Sequence, residues 1–131
     1  MSTLQIGLVL PDVLGTYGDD GNALVLRQRA RMRGFDANIV RIHLGDPIPT
    51  SLDVYCLGGG EDTAQALAAD KFRGTSGLAR ALDAGRPLLA ICASLQVLGH
   101  WYEDARGVRV PGMGVLDITT RPQGHRAIGE L

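Results

Sequence analysis

Thiols and imidazoles are the side chains whose nucleophilic and basic forms are most easily reached, and this sequence holds two cysteines and three histidines. Cys92 follows the short apolar run Pro87-Leu88-Leu89-Ala90-Ile91 and precedes a helix-forming stretch. A cysteine at such a strand-to-helix turn is held with its sulfur above the sheet, and the helix N-terminus lends positive potential that favours the thiolate. The turn needs small neighbours; Ala90 and Ser94 are small, although neither is the glycine usual there. This pattern suits nucleophilic attack on a carbonyl carbon. An inert cysteine closing a buried strand is the other reading of it.

Gly58-Gly59-Gly60 follows the apolar segment Asp53 to Leu57. Three consecutive glycines let backbone N–H groups approach a substrate, where they could hold the oxyanion formed when Cys92 attacks an amide. A simple tight turn explains the same residues. Thiol attack also needs a base, for which histidine is the usual choice. His100 is expected about 12 Å further along the helix that follows Cys92, too far for a hydrogen bond. His43, near the end of the second strand, and His125 are candidates that serve equally as surface or packing residues. Cys56, inside Val54-Tyr55-Cys56-Leu57, reads as a buried small hydrophobe, and the cysteines and histidines lack metal-ligand spacing.

The elements that must position these groups alternate. Leu4 to Leu10 reads as a buried strand, followed by a Gly- and Asp-rich loop through Gly21. From about Asn22 to Arg33 the spacing Ala23, Leu26, Ala30 marks one helical face, with Gly34 as terminator. Ala37 to Ile42 and Asp53 to Leu57 have strand length, Asp62 to Phe72 and Ser76 to Ala84 read as helices, and Pro87 to Ile91 as a further strand. Alternation of this kind predicts an α/β fold: a mostly parallel sheet with helices on both faces, right-handed crossovers, and a site at the carboxyl ends of the strands. Val108 to Leu131 is rich in Gly and Pro and only weakly periodic.

With 131 residues, 45% hydrophobic and 21% charged, the sequence has the composition of one packed domain. A net charge of −1 leaves no basic footprint for nucleic acid. The apolar run at the N-terminus is far too short for a signal peptide core or a membrane span, so the expectation is a cytoplasmic protein whose partners are proteins and small molecules, without membrane insertion.

Leu89-Ala90-Ile91-Cys92-Ala93-Ser94-Leu95-Gln96-Val97-Leu98-Gly99 resembles the nucleophile segment of class I glutamine amidotransferases, commonly C-x-G-x-Q with a following L-G. With Leu57-Gly58-Gly59-Gly60-Glu61-Asp62 and Gly15-Thr16-Tyr17-Gly18-Asp19-Asp20-Gly21-Asn22, it is similar to the cobyric-acid-synthase-like branch, most of all to the GatD subunits of lipid II isoglutaminyl synthase. The resemblance implies a flavodoxin-like fold, with residues 1–131 as the N-terminal part of the family domain. It also implies a glutaminase subunit that passes ammonia to a Mur-ligase-like, MurT-type partner, which uses ATP to amidate D-glutamate of the peptidoglycan precursor. No cofactor is implied for this chain itself.

Carried onto matching positions, Cys92 is the nucleophile, the backbone of Gly60 and Ala93 forms the oxyanion site, and Gln96 contacts bound glutamine. Arg126-Ala127-Ile128-Gly129-Glu130 resembles the family's R-x-I-G-[DE] segment, making Arg126 a candidate anchor for the substrate carboxylate. Each has a plainer reading: Gln96 facing solvent, Arg126 pairing with Glu130. Asp19 and Asn22 are expected to serve as ordinary polar entry to the first helix. The family's catalytic histidine lies beyond Leu131, which implies a shortened chain, and the orienting acid is expected on the partner. An amidotransferase of cobalamin biosynthesis and a non-catalytic partner-binding module are the alternative functions.

Overall fold

The first apolar run forms β1 (Leu4–Val9), and its Ile6, Leu8 and Val9 are all buried, as a strand covered on both faces requires. The computed structural model describes residues 2–15, 18–74 and 77–130. After β1 come α1 (Asp20–Met32), β2 (Ala37–Ile42), β3 (Val54–Leu57), α2 (Asp62–Gly74), α3 (Gly77–Asp83), β4 (Leu88–Ala90) and α4 (Ala93–Leu98). The four strands form one sheet in the order β2-β1-β3-β4, with every neighbouring pair parallel. This is the α/β architecture that the alternation predicts. Thr16 and Tyr17 of the early glycine-rich segment, and Ser76 as the start of a helix, lie outside the described residues.

Alternation along β3 divides the core. Tyr55 and Leu57 point to one face, where they pack with Ala68, Ala69 and Phe72 of α2 and Leu78 of α3. Cys56 points to the other, against Ala23, Leu26 and Ala30, the stripe read from the sequence of α1. Helices therefore cover both faces, and each large apolar side chain so enclosed stabilises the fold by about 1.5–3 kcal/mol. Burial also pushes the Cys56 thiol up from its ordinary value, which keeps it a neutral part of the core.

Past Cys92 the structure departs from expectation. The helix does not reach His100: it ends at Leu98, and Gly99 is extended at φ −77° and ψ −171°. A Cβ at Gly99 would stand 2.5 Å from the Ile118 carbonyl oxygen, so glycine lets a later segment close against the end of the helix. Three short strands follow, β5 (Trp101–Glu103), β6 (Arg109–Pro111) and β7 (Thr119–Thr120), forming a second sheet in the order β6-β5-β7. The weakly patterned stretch after Val108 thus contains two strands. Tyr102 of β5 is buried in the main core, and its hydroxyl has no hydrogen-bond partner among the described residues. Among the same residues, no helix is long and apolar enough to cross a membrane.

Candidate active site

The parallel register aligns Leu57 of β3 with Ala90 of β4, and the Ile91 N–H donates to the Leu57 carbonyl at 3.1 Å, so the two strands end side by side. One residue later the backbone reverses. Cys92 has φ 53° and ψ −110°, a conformation L residues rarely adopt and one that costs on the order of 1–3 kcal/mol. Such strain persists where the surroundings over-determine it. Here the Ser94 hydroxyl donates to the Gly58 carbonyl at 2.5 Å and the Ser94 N–H donates to the Ile91 carbonyl at 3.1 Å. Ser94 is buried by this arrangement, while Cys92 is exposed.

The glycine loop after β3 is held from the opposite side. Asp19 stands at the N-cap position of α1 but makes no side-chain cap bond, contrary to the expected capping role. The Asp19 backbone is helical at φ −67° and ψ −14°, not extended as a capping residue requires, and its carboxylate instead accepts the Gly59 N–H at 2.8 Å. Gly58 has no room for a side chain: an added Cβ would lie 2.5 Å from the Asp19 Cβ and 2.7 Å from the Leu14 carbonyl oxygen. Leu14 is brought there by the turn after β1, where Leu10 takes φ 54° and its carbonyl accepts the N–H groups of Val13 and Leu14.

These constraints leave an open cleft of about 470 Å³ lined by Gly60, Cys92, Ala93 and Gln96, together with Gln65 and the first turn of α2. Four of the five residues singled out from the sequence are thereby brought together. The N–H groups of Gly60 and Ala93 have no acceptor among the described residues, so both are free to bind a negative oxygen. Gln96 does not simply face solvent: it is partly buried, and its Oε1 accepts a 2.7 Å hydrogen bond from the Gln65 amide. Arg126 is exposed in the segment after β7, does not line the cleft, and forms no ion pair with Glu130 among the described residues.

None of the histidines lines the cleft. His43 follows β2, three strands from β4, or roughly 14 Å at ordinary strand spacing, and its Nδ1 lies 3.3 Å from an Asp46 carboxylate oxygen. His100 sits beyond the far end of α4 with its Nε2 2.9 Å from Asp117, and His125 is exposed in the segment after β7. No cluster of three or more His, Cys, Asp or Glu able to hold a metal occurs among the described residues.

The CobB/CobQ-like glutamine amidotransferase domain matches residues 5–131. The chain belongs to this amidotransferase family. It is 35% identical to the GatD subunit of the glutamine-hydrolyzing lipid II isoglutaminyl synthase of Staphylococcus aureus, over 100% of this chain and 55% of that protein. With the subunit of the same name from Streptococcus pneumoniae it shares 31% identity, over 98% of the chain and 50% of the relative. A cobyric acid synthase of Hyphomonas neptunium is 35% identical, over 64% of the chain and 18% of its own length. The chain spans about half the length of the GatD relatives it matches.

Three contributors to this cleft escaped the sequence reading. Gln65 is buried on α2 in an otherwise alanine-rich stretch, and nothing local marks it. Asp19 acts 40 residues from its partner Gly59, and Ser94, noted only for its size, acts through a hydrogen bond 36 residues away. Glu61 and Asp62 add carboxylates at the mouth; the Asp62 side chain is engaged by the Ala105 N–H at 3.0 Å.

Proposed function

We propose that this chain carries the nucleophilic half of a glutaminase site that releases ammonia from the side chain of glutamine for a Mur-ligase-like synthetase partner, the ammonia being used to amidate D-glutamate of lipid II. The observation that supports it is the exposed Cys92, held at positive φ in one cleft with the free N–H groups of Gly60 and Ala93. Similarity to the two GatD subunits over nearly the whole chain supports the choice of pathway.

In this reading the Cys92 sulfur attacks the carboxamide carbon, and the carbonyl electrons move to an oxygen held by the Gly60 and Ala93 N–H groups. Collapse breaks the C–N bond, the nitrogen leaves as ammonia after gaining a proton, and water hydrolyses the thioester to glutamate and free thiol. Gln96 contacts the bound glutamine, and Arg126, which lies outside the cleft, is the proposed carboxylate anchor on its family segment alone. The proton relay draws on a base other than His43, His100 and His125, none of which reaches the cleft. The partner synthetase would carry ATP.

Cys92→Ser in the complex with its synthetase is expected to lower glutamine-dependent amidation by on the order of a thousandfold or more and to leave ammonia-dependent amidation intact. Loss of both activities would sink the division of labour. The similarity to cobyric acid synthase supports a second reading, amidation of a corrinoid. Recovery of a corrin-pathway enzyme rather than a Mur-type ligase as the bound partner would favour it.

A further inference from the structure

Gln65 is 4% exposed, and its Nε2 donates to two acceptors on α4: the Ala93 carbonyl at 3.3 Å and the Gln96 Oε1 at 2.7 Å. A backbone carbonyl can only accept, so the contact with Ala93 decides which end of the Gln65 amide faces α4. That end being a donor, the atom of Gln96 facing it must be the oxygen. The Gln96 Nε2 is then left with both its hydrogens, and it has no acceptor among the described residues. Gln96 itself lines the cleft next to Cys92 and Ala93.

We infer that Gln65 is a positioning residue that turns the Gln96 amide so that its Nε2 donates into the cleft, making position 96 a reader of a ligand oxygen rather than of a ligand ammonium. The inference rests on the reading of the cleft as a glutamine site. Within that reading the carboxamide oxygen is taken by the Gly60 and Ala93 N–H groups, and the acceptor remaining on glutamine is its α-carboxylate. A buried amide is well suited to this task, because the Ala93 carbonyl removes the freedom an exposed glutamine would have to flip. The same hydrogen bond ties α2 to the first residue after the nucleophile, so ligand recognition and the elbow share one anchor.

The test follows the rate at which iodoacetamide alkylates Cys92 in the full chain as glutamine is added. Cys56 is buried and serves as an internal control, since its labelling would report loss of the fold. Gln65→Leu keeps the volume without hydrogen bonds; Gln65→Glu keeps the shape but, ionised, only accepts, drawing the Gln96 Nε2 out of the cleft. Measured against each variant's own unprotected alkylation rate, both are expected to weaken protection by glutamine on the order of tenfold. In a Gln96→Leu background, replacing Gln65 should add nothing, because the residue acts through Gln96. 4-Aminobutanamide, which lacks the α-carboxylate, should protect wild type and variants alike. Wild-type protection that survives in both Gln65 variants, or losses that add in the double variant, overturns the inference alone. No protection of the wild type by glutamine overturns the glutamine reading and the inference with it.

Discussion

The turn after β1 and the turn after β4 carry the same backbone anomaly, φ 54° at Leu10 and φ 53° at Cys92, and use it in opposite ways. At Leu10 everything is enclosed: the side chain is fully buried, its N–H donates to the Ile42 carbonyl at 2.7 Å, and its carbonyl accepts from Val13 and Leu14. At Cys92 the side chain is exposed, and the next N–H, that of Ala93, is left without an acceptor. Strain by itself therefore does not mark chemistry. It marks places where the fold forces the chain, and what sets Cys92 apart from Leu10 is an accessible atom beside unspent donors. The first turn serves the second at one remove, since it sets Leu14 against Gly58 and so shapes the loop that faces the cysteine.

The comparison can be broken by substitution. Leu10→Ala removes a side chain from the core while the positive φ remains, and is expected to lower unfolding free energy by about 3 kcal/mol in chemical denaturation. A loss under about 1 kcal/mol would show that the turn after β1 is not anchored by packing. Gly58→Ala tests the link between the turns. Its Cβ meets backbone at 2.7 Å and the Asp19 Cβ at 2.5 Å, so the loop must shift, with an expected cost of about 2 kcal/mol and weaker glutamine binding. Wild-type affinity in a stably folded variant would detach the loop from the site. The smallest effect has the opposite sign: Cys92→Gly relieves the left-handed conformation and should raise stability by about 1 kcal/mol, since no buried side chain is lost with it. Unchanged stability would mean that the two turns are not strained alike.

Much of this arrangement was legible because it rests on local pattern. The stripe Ala23, Leu26, Ala30 and the apolar runs of β1 to β4 name their own partners, and a small-flanked cysteine after a strand announces a turn. What escaped was set at long range. Gln65 is one polar residue on a helix, and only the meeting of α2 with α4 shows that it faces Gln96. Asp19 reads as a cap from sequence spacing, but its helical backbone rules out that role and the fold supplies Gly59 as the donor instead. The end of α4 rests on Gly99, a glycine stop that the helical pattern running on toward His100 masks in the sequence, and the approach of Ile118 fixes it there. β5, β6 and β7 are two or three residues long, too short for alternation to register, and β5 pairs with one neighbour antiparallel and the other parallel.

The solitary hydroxyl of Tyr102 sets an alkaline limit on the fold. Burial, reinforced by the carboxylates of Asp62 and Asp104 and opposed by Arg73, pushes this phenol up to about 12. The folded state thus favours the neutral ring over the phenolate more strongly than the unfolded chain does. The stabilisation linked to that preference is fully present below the ordinary tyrosine value of about 10 and is lost as pH rises through the folded value. Because Tyr102 joins the small second sheet to the main core, base should loosen first the region that carries Arg126, while the elbow at Cys92 is still in place.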